Sequence, residues 1–476
     1  MSELSTPKIA APKEFVEHSV LERWVVKGLA YIPGMRELAG SRRMLTILRG
    51  STWTMAGYAA TQLLRFAATL VLARKLLSPQ AFGLVALVNV FLGGLDMLSD
   101  LGLGMDVVQH PRGDEPAFVN TAFLIQAGRG AVIWVIATAL AYPFAYFYHQ
   151  PAVCWLAMVS VLSVAVRGVA SGSIWLLTRH VQIGKLTALN LSSEVVGFLI
   201  SVAWAVASPT PWAIVAGRVA AAVVYTVGSH LIAKNRVSLL WDRSAARDIL
   251  IFGTGIFFST ATYFLGGESE RLVIGKFISM AELGCFSLAL TLSAAPSRVI
   301  QQVVGQVFFP VMAKSIRKDR DAAAGHFRSA RYVFLTLGTL LSMGFIAYGH
   351  RLVVILLPPK YEMTAWMLQF MGFRAGLEIF AAPSSSLILA CGDSKYAAAM
   401  NTSRLVLMFS GVWFAFAKFG IHQAIAVLAF APLVVYPIVI FGLTRHLRRT
   451  LWVELGSFAL FMAASCVAVI VPWPWA

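Results

Sequence analysis

Eight arginines stand inside long apolar stretches of this 476-residue chain: Arg65, Arg129, Arg167, Arg218, Arg271, Arg298, Arg374 and Arg404. A guanidinium stays charged at any working pH and grips phosphate or carboxylate with a two-pronged fork. Left in hydrocarbon it costs roughly 2.5–3.5 kcal/mol on insertion scales, so each should face a partner or a wet cavity. A cavity walled by such groups suits an anionic ligand, a pyrophosphate or an acidic sugar. Arg65, Arg129, Arg167 and Arg298 lie nearest the middle of their stretches and are the first candidates for that wall. Arg218 and Arg271 sit near the ends of theirs, where a long side chain can snorkel to the interface. Arg374 precedes Glu378 by four residues, the spacing at which two charges neutralise each other on one helix face. Together with Arg404 these form the second rank.

The acids in the same stretches are Asp96, Asp100, Glu194, Glu268, Glu270 and Glu378. A carboxylate inside a membrane is the usual seat of H⁺ or Na⁺ where a gradient drives transport. Asp96 and Asp100, four apart, share one helix face and are the candidates for ion coupling. The plainer alternative is that Asp100 ends a bent helix beside Gly102 and Gly104. Other chemistries lack their residues. There is no GxxxxGK[ST] loop for ATP, no HExxH and no histidine cluster with metal spacing, and no presented Ser or Cys beside a base. The sequence therefore predicts no enzyme, no metal and no cofactor. Cys154, Cys285, Cys391 and Cys466 are far apart in apolar stretches, without metal spacing, and are expected to be buried, inert thiols.

The elements that must carry these residues follow from composition. Hydrophobic residues make up 58% of the chain and charged residues 13%, with a mean hydropathy of +0.74. A soluble domain carries about 25% charged residues, so this chain has too little polar surface to face water. Its apolar residues fall in blocks of about 20, the length that crosses a bilayer. The reading is an all-α, polytopic membrane protein of about twelve spans. They are placed near 51–73, 81–108, 118–147, 153–177, 184–207 and 212–233, then near 249–274, 282–312, 330–357, 362–390, 396–417 and 421–444. A last apolar segment, Leu455–Val471, precedes Pro472-Trp473-Pro474-Trp475. It is either a thirteenth helix or a segment that dips in and returns. Residues 1–13 are polar, with no secretory signal, and Glu14–Tyr31 is amphipathic, either resting on the membrane surface or part of a loosely ordered tail.

A net charge of +17 would suggest nucleic acid in a soluble protein. Here cytoplasmic loops gather Lys and Arg instead. With the N-terminus inside, 25 basic residues fall on the cytoplasmic side, including Lys8, the midpoint loop Ala233–Ala246 and the Lys314–Arg331 loop. Only Arg74, Lys75, Lys276, Arg351, Lys360 and Lys418 fall outside. Both ends of the twelve-span core are thus predicted to be cytoplasmic, and no nucleic-acid partner is expected. The outer loops, such as His149–Ala152 and Ser208–Pro211, are too short to hold a folded domain. A faint repeat marks two halves: Lys75-Leu-Leu-Ser78 with Gly83 recurs as Lys276-Phe-Ile-Ser279 with Gly284. An even number of spans per half gives both the same orientation, related by an axis along the membrane normal. The predicted organisation is a tail (1–48), two six-helix lobes (49–234 and 235–450) and an extra apolar segment (451–476).

Three stretches resemble the oligosaccharide flippase, or polysaccharide transporter, branch of the multidrug/oligosaccharidyl-lipid/polysaccharide (MOP) exporter superfamily. The first runs from Leu76-Leu-Ser-Pro79 and Phe82-Gly83 to Ser99-Asp100-Leu-Gly-Leu-Gly104 and Val107-Val-Gln109. The second is Glu270-Arg-Leu-Val-Ile-Gly-Lys276 with Leu283-Gly-Cys-Phe-Ser287. The third joins Pro296 and Arg298 to Val307-Phe-Phe-Pro310. The family pattern has Asp where Glu270 stands and usually Tyr where Phe286 stands. The resemblance covers roughly Leu48 to Thr450. It implies a V of two six-helix lobes around a cavity that opens alternately to each side. It also implies movement of a polyprenyl-diphosphate-linked oligosaccharide across the bacterial inner membrane, with membrane lipid, a glycan polymerase and other export-pathway proteins as candidate partners. A lipid-linked peptidoglycan precursor flippase is an alternative, since its substrate carries the same diphosphate lipid. A multidrug antiporter of the superfamily would favour an acid-lined cavity, which the excess of Arg over acid opposes.

Overall fold

The computed structural model describes residues 57, 59–97, 101–180, 182–233, 238–267, 269–446 and 450–470. The N-terminal tail with Glu14–Tyr31, Asp100, Glu268, Lys234, Arg236, Arg448, Arg449 and Pro472–Trp475 lie outside the described residues.

Helices alone build the described chain. Helix α1 (59–71) runs into a π-helical turn at Leu72–Leu76. After it come α2 (Pro79–Met97), α3 (Leu103–Gln109), α4 (Pro116–Phe147), α5 (Pro151–Gly168), α6 (Ser173–Arg179), α7 (Ile183–Ala207) and α8 (Trp212–Ile232). The second half holds α9 (Arg243–Gly267), α10 (Ser269–Gly275), α11 (Met280–Val303), α12 (Phe309–Lys318), α13 (Arg320–Leu356) and α14 (Thr364–Ala390). It ends with α15 (Ser394–Val406), α16 (Val412–Phe419), α17 (Ile421–His446) and α18 (Leu451–Ile470). Among the described residues, nine helices are long and apolar enough to cross a membrane. Helices α1, α9, α14 and the α15–α16 run stand where the sequence also predicts spans. Large apolar side chains such as Trp134, Trp155, Leu231 and Trp452 are exposed, as helices surrounded by lipid require.

Local chemistry sets the ends. Pro116 and Pro151 open α4 and α5 at positions where the missing N–H costs nothing. At α11 the Ser279 hydroxyl accepts from the Glu282 amide while the Glu282 carboxylate accepts from the Ser279 amide, a closed capping box. Two expected spans prove to be broken. The 81–108 stretch is not continuous: Leu101 and Gly102 lie outside any helix, and Gly102 with φ 60° precedes the short α3, a backbone state that only glycine adopts readily. The 153–177 stretch stops at Gly168, and the Ser171 amide beyond it donates to the Ser229 hydroxyl at 2.9 Å. The 282–312 and 396–417 stretches continue through π-helical turns at Val304–Phe308 and Leu407–Gly411.

Small residues bring helices together. Gly130 meets Gly168 between α4 and α5, Gly197 meets Gly217 between α7 and α8, and Gly338 meets Gly376 between α13 and α14. In a bilayer such close backbone approach supplies the dispersion contacts that hydrophobic burial cannot. The faint repeat is a contact site. A methyl at Gly83 would stand 1.9 Å from the Met280 carbonyl oxygen, and one at Gly284 would stand 1.9 Å from that of Pro79. Each repeat glycine thus receives the start of the other's helix. Around this crossing of α2 and α11 lies one hydrophobic core drawn from both halves, with Leu87, Phe91, Leu283, Phe286 and Met367 buried. Hydrogen bonds close the same end: Tyr361 Oη and Lys360 Nζ donate to the Leu77 carbonyl at 2.9 and 2.6 Å. Tyr148 Oη donates to the Leu272 carbonyl at 2.9 Å, and Lys276 bonds the Phe147 carbonyl.

At the opposite end the connection between the halves is pinned. Arg112 bonds Asp242 at 2.6 Å and Ser244 at 2.8 Å, and the Asn120 and Thr121 side chains accept from the Ser238 and Asp242 amides. The Arg112 guanidinium holds the Asp242 carboxyl well below the usual carboxylate range.

Helix α18 packs along α13 and corrects two expectations. Arg331, assigned from sequence to a cytoplasmic loop, lies within α13 and is fully buried, its Nε 2.9 Å from the equally buried Glu454 carboxylate of α18. Ser384 and Tyr436 donate to the other carboxylate oxygen. The thiols also differ from expectation, because only Cys285 is buried and Cys466 is exposed.

Candidate functional site

A cavity of about 980 Å³ lies among α1, α2, α4, α5, α7 and α8, with α10 and α11 of the second half as its far wall. That is the upper end of ordinary ligand pockets. Arg65, Arg129, Arg167 and Arg298 all line it, as do Arg218 and Arg271 of the second rank. Among the described residues the lining carboxylates are Asp96 and Glu194, so six arginines outnumber acids by four charges. Polar and aromatic groups fill much of the rest: Gln62, Asn89, Gln126, Asn190, Trp175 and Tyr225.

The arginines are held differently. Arg129 Nη2 donates to the Asp96 carboxylate at 2.6 Å and to the Asp96 backbone oxygen at 2.7 Å, tying α4 to α2. Arg65 on α1 pairs with Glu194 on α7 and is itself more than half exposed. Arg218 donates to the Asn89 side-chain oxygen. The Arg167 guanidinium stands 5.1 Å from the centre of the Tyr225 ring, a cation–π contact. Arg298 on α11 is exposed to the cavity and has no hydrogen-bond or ion-pair partner among the described residues. It faces the α1–α8 wall from the other half. A ligand with several anionic oxygens can therefore touch both halves at once.

Arg374 and Arg404 are elsewhere. Arg374 of α14 bonds Glu270 of α10 at 2.5 Å and Glu378 at 2.9 Å, so the four-residue spacing does neutralise it. Arg404 of α15 reaches Glu270 at 3.1 Å and Glu378 at 3.7 Å. Two cations and two anions form a balanced cluster that ties three helices together, and neither arginine lines the cavity. Asp96 lines the cavity in contact with Arg129, whereas Asp100 lies outside the described residues. No group of His, Cys, Asp or Glu among the described residues is placed to hold a metal ion.

Sequence spacing did not reveal the cavity's ion pairs. Glu194 was legible as a membrane acid, but nothing in the spacing joins it to Arg65, 129 residues away. Tyr225 and Trp175 gave no signal, because aromatic residues inside spans are ordinary.

The fold is shared with known transporters. The inward closed conformation of the lipid II flippase MurJ superposes with a TM-score of 0.62 at 11% identity, covering 87% of this chain and 97% of that one. An inward-facing multidrug resistance MATE family transporter of the MOP superfamily gives 0.61 at 11%, covering 85% and 96%. At such identities these likenesses show the architecture. In sequence, the chain is 22% identical over 334 residues to the succinoglycan biosynthesis transport protein ExoT of Rhizobium meliloti (strain 1021), covering 70% of this chain and 67% of that one. Residues 71–365 match the family described as polysaccharide biosynthesis protein. Since that stretch is more than half of a multi-pass helical chain with the MOP architecture, the protein belongs to the polysaccharide biosynthesis protein family.

Proposed function

We propose that this protein is a flippase for a polyprenyl-diphosphate-linked oligosaccharide, the repeat unit of an exopolysaccharide, capsule or O-antigen. The substrate enters from the cytoplasmic leaflet of the bacterial inner membrane and leaves in the outer one by alternating access. The observation that carries the reading is the cavity itself, with six arginines against two carboxylates. A diphosphate with charged oxygens at two phosphorus atoms meets forked donors from both halves, and guanidinium is the side chain that best matches such groups. Membership in a polysaccharide biosynthesis family and the name of the succinoglycan transport relative support the choice of substrate. The same charge balance opposes a cation-binding multidrug site. A glycan polymerase and other export-pathway proteins are the partners such a step needs on the outer side.

In this reading residues 49–234 and 235–450 act as two lobes that close against each other at the α2–α11 crossing and part there in alternation, with 1–48 a cytoplasmic tail and 451–476 an added segment. With the buried Arg331 set aside, a 24-to-6 basic asymmetry supports a cytoplasmic N-terminus. An impermeant thiol reagent should therefore reach a cysteine placed at Arg243 only after the membrane is opened. Labelling from outside intact cells would overturn the orientation.

Arg65, Arg129, Arg167 and Arg298 are the substrate contacts, with Arg218 and Arg271 as flanking positive charge. Arg→Lys keeps charge but removes the fork, so contact residues should lose glycan export in a complementation assay while membrane protein levels hold. Full export by all four Arg→Lys variants would argue against forked phosphate binding. Full export by all four Arg→Gln variants would reject the charged cavity. Asp96 and Asp100 are the proposed coupling carboxylates, and Asn at both should remove any acceleration of export by a proton gradient. Unchanged acceleration would exclude them.

A further inference from the structure

Of the two carboxylates in the cavity, Asp96 and Glu194, only one leaves its arginine open to exchange. Arg129 is held by both the side chain and the backbone of Asp96. Arg65 is held through its side-chain nitrogen by Glu194 alone, and is more than half exposed, while Glu194 is mostly covered. Arg65 is thus the more exposed of the two paired arginines, and a single carboxylate holds it. We infer that Glu194 is a resident counter-ion that competes with the substrate's diphosphate for Arg65. The inference rests on the anionic-substrate reading and adds to it a residue that sets how tightly the site binds.

Diphosphate and Glu194 exclude each other at one edge of Arg65. A guanidinium edge that forms a two-pronged bond to phosphate cannot keep its carboxylate partner on that edge. Before substrate arrives, Glu194 neutralises a cation that would otherwise stand in a low-dielectric wall. When a diphosphate takes Arg65, the carboxylate loses that partner. The remaining charged and titratable groups near Glu194 are Arg218 and Tyr225 on α8 and Arg167 on α5. Arg218 is within electrostatic range of Glu194, Arg65 and Arg167. Towards the ends of the neighbouring helices lie Lys185 on α7, Arg179 on α6 and the pair Arg74–Lys75 after α1. Lys185 is nine residues from Glu194, about 13 Å along the helix. None of these is an acid, so Glu194 is the carboxylate that competes at Arg65, and removing it should tighten substrate binding.

The test uses the full-length chain purified in detergent, with farnesyl diphosphate and inorganic pyrophosphate as probes, titrated by calorimetry at low salt near neutral pH. Glu194→Gln should bind farnesyl diphosphate about fivefold more tightly than wild type near neutral pH, the factor for about 1 kcal/mol of lost competition. Glu194→Ala should shift binding in the same direction, which guards against a single misfolded variant. In the Arg65→Gln background, Glu194→Gln should give no gain. Equal affinities for wild type and both Glu194 variants, with binding intact, would overturn competition while leaving the anionic cavity standing. Absence of any diphosphate binding in wild type and variants would overturn both readings. Binding of inorganic pyrophosphate with the same ratio would support the inference and mark the diphosphate, rather than the lipid tail, as the group that competes.

Discussion

Gly83→Ala and Gly284→Ala should each abolish glycan export while leaving the protein in the membrane. The added methyl would stand 1.9 Å from a backbone carbonyl oxygen of the facing helix, where real Cβ atoms essentially never come within 3.0 Å. A backbone oxygen cannot rotate aside as a side chain can, so α2 and α11 must move apart. Overpacking of this kind costs about 1–3 kcal/mol, which shifts a two-state equilibrium roughly 5- to 150-fold. The crossing lies where Tyr361, Lys360 and Tyr148 fasten one half to the other, so the arrangement that suffers is the one closed at that end. Alternating access requires that arrangement in every cycle. Gly128→Ala is the control, because its methyl would meet nothing within 4 Å. Export at wild-type rates by both Gly83 and Gly284 variants, with normal protein levels, would show that the halves do not close through this contact.

The second large effect concerns stability. Glu454→Leu should lower the thermal stability of the detergent-purified protein and its amount in the membrane, because it leaves the fully buried Arg331 without its ion partner. Breaking a buried pair from one side costs about 3–5 kcal/mol, whereas replacing both partners with apolar groups is often neutral or stabilising. Arg331 would keep its bond to the Phe380 carbonyl and its place 3.6 Å from the Phe380 ring centre, but its charge would be uncompensated. The double variant Arg331→Met, Glu454→Leu should recover most of the loss. A double variant as unstable as the single one would mean that the network positions α18 through its hydrogen bonds with Ser384 and Tyr436 rather than through charge balance.

These two predictions stand on different degrees of legibility in the sequence. The glycine contact was half visible: the repeated Lys-x-x-Ser with a following glycine gave the equivalence of positions 83 and 284. Nothing in one dimension said that the two copies touch. The Arg331–Glu454 pair was hidden by its position. Both residues sit at the rims of apolar blocks, where a charge is ordinary, and a helix that continues past its apolar block carries such a charge inward unnoticed. Helix existence was legible because lipid demands long apolar runs, whereas the breaks at Gly102 and after Gly168 depend on backbone states and tertiary hydrogen bonds. For the site, residue type and depth separated most of the cavity arginines from the loop ones. Helix rotation decides the rest, and in apolar spans the hydrophobic pattern scarcely records it. Arg218 and Arg404 look alike in sequence, yet one lines the cavity and the other closes an ion cluster. Arg374 was the exception, since the four-residue spacing to Glu378 already marked its partner.

The central claim is that arginines in one cavity carry a diphosphate lipid across the membrane. The most direct measurement is translocation of a fluorescent polyprenyl-diphosphate oligosaccharide in vesicles containing the purified protein, read by the fraction of label a membrane-impermeant quencher can reach. The account predicts that wild-type protein raises that fraction well above protein-free vesicles. The variant with Gln at Arg65, Arg129, Arg167 and Arg298, reconstituted in equal amount, should not. Equal translocation by the wild type and this variant would contradict it.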